Sequence, residues 1–144
     1  MSDLAAPVSF AQADRPLGQS MRRGTAGRCP ACGQGQLFTG YLKVKDSCPS
    51  CNEELHHHRA DDGPAYVTIF IVSHLAGPLL LAVYIAYRPS TAFLLTLFCA
   101  GVTVLSLLLL PRIKGAWVAL QWAKRMHGFG DGVEDRPAAT DLQP

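Results

Sequence analysis

Polar and apolar positions along the chain separate into long blocks. Ala65 to Tyr87 runs without a Lys, Arg, Asp or Glu, and so does Ala92 to Leu110. At about 1.5 Å of rise per residue, a helix over either run approaches the ~30 Å of a hydrocarbon core. The segment between them, "RPST", is short and polar. The pattern predicts an α-helical transmembrane hairpin, with spans at 65–87 and 92–110 and a turn at 88–91. Two buried helices of a soluble core fit less well. From Ala65 to Leu110 the only full charge is Arg88, and little else in the chain could cover so much apolar surface.

After Leu110 comes "PRIKGAWVALQWAKRMHGFG". Ile113, Ala116, Trp117, Leu120 and Ala123 recur at helical spacing, with Arg112, Gln121, Lys124 and Arg125 elsewhere. Tryptophans together with basic residues predict an amphipathic interfacial helix over 111–128, ended by Gly128. Residues 1–21 and 129–144 are expected to be disordered.

Charge adds orientation. Arg59 precedes the first run and Arg112, Lys114, Lys124 and Arg125 follow the second, whereas the connecting turn has only Arg88. The positive-inside rule then places both termini in the cytoplasm and the turn in the periplasm. The sequence before Cys29 carries no apolar h-region, so the amino-terminal part is expected to stay where it is made. A net charge of +2 is too small to argue for nucleic acid.

The chemistry begins with cysteine. "CPAC" (Cys29, Cys32) and "CPSC" (Cys48, Cys51) are two C-x-x-C knuckles at a separation that suits a four-thiolate tetrahedral site. The intervening "GQGQLFTGYLKVKDS" reads as a glycine turn and two short strands, the second at Tyr41 to Val44. Residues 22–58 are therefore expected to form a small zinc ribbon, a β-hairpin carrying both knuckles. Structural zinc fits best, because so small a module needs a metal to fold and four thiolates leave no open position for catalysis. Rubredoxin-type iron uses similar ligands. Disulfides do not suit a cytoplasmic module, and neither knuckle has the strand-then-helix setting of a thioredoxin motif.

In the juxtamembrane segment 59–64, "RADDGP", Asp61 and Asp62 fall where a helix has unpaired N–H groups and Pro64 suits its first turn. The spare carboxylate could take a metal or a partner's arginine. Just before it, "HHHR" (56–59) reads as a solvated linker in preference to a transient metal site. His74 would sit near the midplane of the first span, where an ionisable ring should face protein. Its face carries Tyr66, Phe70, Gly77 and Leu81. The second span has a small, polar seam of Ala92, Thr96, Cys99, Thr103 and Ser106. Level with that seam, His74 is expected to hydrogen-bond Thr103 or a nearby carbonyl. A sharper alternative joins His74 and Cys99 in a copper, iron or haem site, and a third turns His74 toward a partner protein. No catalytic constellation is evident.

"RCPACGQGQLFTGYLKVKDSCPSC", "RADDGPAYVTIFIVSHLAGP" and "PRIKGAWVALQWAKRMH" together resemble a bacterial membrane family catalogued as domain of unknown function 983, over roughly residues 22–129. Ser73 departs from the pattern, which has Gly before the histidine. The resemblance implies a zinc-ribbon protein of the inner membrane and an association with cytochrome oxidase biogenesis. On these grounds the chain is expected to be a non-enzymatic accessory protein in the lipid bilayer that docks on a membrane complex or on a second copy of itself. The alternative is a metal or redox carrier using the C-x-x-C pairs or His74 and Cys99.

Overall fold

A computed structural model describes residues 14–59 and 62–130. It contains three helices, α1 (Leu17–Thr25), α2 (Gly63–Tyr87) and α3 (Thr91–Ala123), with a loop-built cysteine head between α1 and α2. α2 and α3 are each long and apolar enough to cross a membrane, and only 6% of the residues in the most apolar stretch of either are buried.

α2 starts at Gly63–Pro64, where proline has no N–H to lose, and stops at Arg88, whose backbone is left-handed (φ 43°, ψ 51°). Asp62 occupies the N-cap position but sits in αR geometry and makes no side-chain cap bond, so the carboxylate capping expected of it is absent. Asp61 lies outside the described residues.

The spans meet only in part through the faces expected. Thr68 and Val72 of α2 and Leu94 of α3 are buried, and Ala76, Val83, Phe98 and Val102 are half-buried. Two clefts between the helices are lined by residues of this set. Tyr66, Phe70, His74 and Leu81 are exposed, as are Ala92, Thr96, Cys99 and Thr103, whereas Ser106 is half-buried and, with Gly77 and Cys99, lines one of the clefts. The physical reason is bulk: Val72, Leu94 and Phe98 fill more of the contact than the small, polar stripe could.

The sharpest difference is at Pro111. A break was expected there, followed by a separate interfacial helix to residue 128, but α3 runs unbroken from Thr91 to Ala123. Proline removes the N–H that would pair with the carbonyl one turn back. That carbonyl, of Leu107, accepts instead from the Tyr41 hydroxyl of the head, and Arg112 Nη1 donates to the neighbouring Leu108 carbonyl at 2.7 Å. A side chain from the head thus replaces the missing donor, and the helix continues.

Its last turns form the floor of the head. Val118, Ala119 and Trp122 are buried, and Val118 and Trp122 share a cluster with Cys29, Leu37, Val44, Cys48, Leu55 and Phe129. The face expected to lie on lipid, Ile113, Ala116, Trp117, Leu120 and Ala123, is half-buried, and the residues that protein covers fully lie beside it. α1 crosses the same segment at Gly24 and Gly115, where a Cβ on either glycine would strike the other's carbonyl. Arg15 lies 4.5 Å over the Trp122 ring and donates to the carbonyls of Trp122 and Phe129. Disorder over 1–21 and 129–144 therefore does not hold for Leu17 onward or for buried Phe129, while residues 1–13 and 131–144 lie outside the described ones.

The expected β-hairpin is reduced to single bridges. Among the described residues there is no strand, only isolated antiparallel bridges Arg28↔Gln36, Phe38↔Val44 and Ser47↔Glu54. The backbone divides its hydrogen bonds between the knuckle turns and these bridges, and Val118 and Trp122 of α3 complete the head's core in place of a sheet face.

Tyr41→Phe should cost about 1 kcal/mol of stability in an otherwise unaltered chain. In a Pro111→Ala background, where residue 111 regains its N–H, it should cost nothing. Thermal melts of the four proteins in detergent close this cycle, and an equal cost in both backgrounds would show that the Tyr41 bond does not serve the proline.

Candidate metal centre

The two knuckles fold alike because their sequences are alike. In the first, Gly33 N–H donates to the Cys29 carbonyl at 2.9 Å and Cys29 N–H to the Gly35 carbonyl at 2.8 Å. In the second, Asn52 N–H donates to Cys48 and Cys48 N–H to Glu53, both at 2.9 Å. The residue after the second cysteine is left-handed in each case, Gly33 at φ 73° and Asn52 at φ 56°. Glycine and asparagine tolerate that region best. "CPACG" and "CPSCN" thus held a turn signal beyond the cysteine spacing alone.

The turns bring Cys29, Cys32, Cys48 and Cys51 together, with all four sulfurs within 4.8 Å of one another. Cys29 Sγ and Cys51 Sγ are 3.8 Å apart, as are Cys32 Sγ and Cys48 Sγ. A tetrahedron of sulfurs ~2.3 Å from a central ion has edges of about 3.8 Å. The donor set therefore fits a tetrahedral ion, and the cysteines are free rather than paired as disulfides. Gln34 N–H points at Cys32 Sγ at 3.4 Å, as suits a thiolate. Gly35 lies directly against Cys48, whose sulfur occupies the space a Cβ would fill.

The thiols are not equivalent. Burial pushes Cys29 far up, with the N–H groups of Cys32 and Ala31 opposing. Burial also raises Cys51. Cys32 is pulled from 9.0 down to about 6, first by the Gly35 N–H, then, against some burial, by that of Gln34. A cation entering here must expel protons from the raised thiols, so its affinity falls with falling pH.

Among the described residues, the other expected ones do not form a second centre. His74 is exposed and its Nδ1 lies 2.8 Å from the Phe70 carbonyl of its own helix, with the Phe70 ring 4.1 Å away. Thr103 donates to the Cys99 carbonyl within α3 at 2.7 Å. Of the two partners expected for His74, Thr103 or a nearby carbonyl, it meets a carbonyl, that of Phe70 in its own helix, while Thr103 stays bonded within α3. Among the described residues, neither His74 nor Cys99 belongs to a group able to hold a metal. Tyr66 is 70% exposed. The histidine run, expected to be a linker in preference to a transient metal site, does join a group there: His56 and His57 with Glu54, which the sequence did not single out.

The model of a family described as "Protein of unknown function (DUF983)" matches residues 38–122, more than half of the chain. The match takes in the second knuckle and both long helices. No curated protein and no solved structure matches.

Gly35→Ala should weaken metal binding by about 10–100-fold, the usual penalty for disturbing a group that seats a ligand. A chelator-competition titration reads it, and unchanged affinity would mean that Gly35 does not seat Cys48.

Proposed function

Because the chain belongs to the DUF983 family, whose description names no activity, we propose its role from its architecture: a non-enzymatic accessory protein of the membrane, anchored by α2 and α3, with a head built on structural zinc. One observation carries this reading. α3 passes without a break from an apolar run of spanning length into the core beneath the four sulfurs. Such a helix would hold the head at a set height and angle above the bilayer.

Zinc is favoured over iron by the reasoning that the head is small and needs a closed, redox-silent clasp. Four thiolates fill a tetrahedron and leave no position for substrate, which argues against catalysis. The distribution of Lys and Arg favours a cytoplasmic head and an outward turn. Within lipid, His74 on the side away from α3 would be costly without a protein neighbour, so the Tyr66–Phe70–His74 face is the surface we assign to a membrane partner.

The most concrete form of this role is assembly of a respiratory complex of the cytochrome oxidase type. It is supported by the sequence resemblance alone. The carrier alternative draws no support from His74 and Cys99, whose polar contacts stay within their own helices.

The expected outcome is one tightly held zinc per chain after detergent purification, and His74→Ala lowering assembled oxidase while the level of this chain stays constant. Bound haem or exchangeable copper in place of zinc would overturn the structural reading. Normal oxidase spectra in a deletion strain would overturn the assembly role and leave the anchored head standing.

A further inference from the structure

The histidine run after the second knuckle was expected to be a solvated linker, since three adjacent histidines cannot face one point. Only two of them need to. Glu54, His56 and His57 bring their ligand atoms within 4.8 Å of one another, and His57 Nε2 lies 3.1 Å from Glu54 Oε2. The His56 and His57 rings are 3.9 Å apart and tilted by 38°. His58 is turned away, its Nδ1 taken by the Leu55 carbonyl at 2.8 Å.

This group is held rather than loose. Leu55, in its middle, is completely buried, and the N–H groups of Leu55 and His56 both donate to the Asp46 carbonyl, at 2.8 and 3.1 Å. Glu54 forms the bridge to Ser47. The His57 ring packs edge-on against Phe129 at 5.9 Å, and its Nδ1 side abuts left-handed Gly128 so closely that a Cβ there would strike the ring. That contact leaves Nε2 as the nitrogen directed at Glu54. One ligand is thus seated by packing, the backbone that carries the carboxylate is fixed, and the other imidazole stands exposed beside them.

We propose that Glu54, His56 and His57 form a second metal site, open and exchangeable, for a borderline divalent first-row cation. Two imidazoles and one carboxylate are a donor set such ions accept while retaining vacant positions. The 3.1 Å separation of Nε2 and Oε2 matches the spacing of adjacent ligands about an ion ~2.0–2.1 Å from each. Glu54 and His56 are exposed, so an ion here meets solvent, unlike one among the four sulfurs.

Cobalt(II) chloride titrated into the full-length, zinc-loaded protein in detergent tests the site. One further equivalent should bind, with weak visible bands and no thiolate charge-transfer absorption. His57→Ala, Glu54→Gln and His56→Ala should each weaken it by at least about tenfold, since even losing a ligand's supporting contact costs that much. His56 is exposed, so His56→Ala should keep the fold, which retention of the first zinc verifies. His58→Ala should leave the affinity unchanged. No additional equivalent, cobalt entering only as a thiolate complex, or an equal loss from His58→Ala would each overturn the proposal.

Discussion

Val118 and Trp122 press up from the end of α3 into a head that has few apolar residues of its own, Leu37, Val44 and Leu55 among them. Burying a side chain of this kind is worth roughly 1.5–3 kcal/mol, and a module this small cannot close a core from its own side chains. The cysteine loops therefore need two clasps. One is the convergence of four sulfurs, which ties the knuckles together from within. The other is the closing turns of a helix that begins at Thr91, at the opposite end of the hairpin. The Gly24–Gly115 crossing lets α1 approach close enough to cover the same stretch of helix.

The polar contacts follow this dependence. The Trp122 indole N–H donates to Glu53 Oε1 at 2.6 Å, just beyond the second knuckle's asparagine, while Arg15 covers the ring. Gln121 exchanges hydrogen bonds with both backbone groups of Arg59, tying the end of α3 to the entry of α2. Tyr41 completes the helix where Pro111 interrupts its bonding. Each is a link between the head and a helix of spanning length, so a load applied to one is transmitted to the other.

What was legible in the sequence was local. The two knuckles could be read because each pair of ligands lies within a single turn of chain, and the two long helices because uncharged length alone announces them. The helix faces could not: both runs are apolar on nearly every side, so periodicity carries little information about which side packs. The small polar stripe through Cys99 and Thr103 was a weaker constraint than the bulk of Leu94 and Phe98. Pro111 was read by the local rule that proline ends a helix, a rule overridden by Tyr41, which lies far back in the chain between the knuckles. The strands there dissolved into single bridges for a related reason. A hairpin held by its metal alone was expected, but the surface it packs on lies at positions 118–122. α1 was missed because Gly18, Gly24 and its arginines look like linker, and its role appears only once Gly115 is beside it.

The account rests on the cysteine centre and the end of α3 forming one cooperative unit. Hydrogen exchange measured on the detergent-solubilised chain, before and after a chelator strips its metal, tests this most directly. Protection at positions 115–123 should be lost together with that of the cysteine loops, while positions 66–106 keep theirs. If 115–123 stayed fully protected after the loops had opened, the helix end would stand without the head, and the shared core would not be what holds them together.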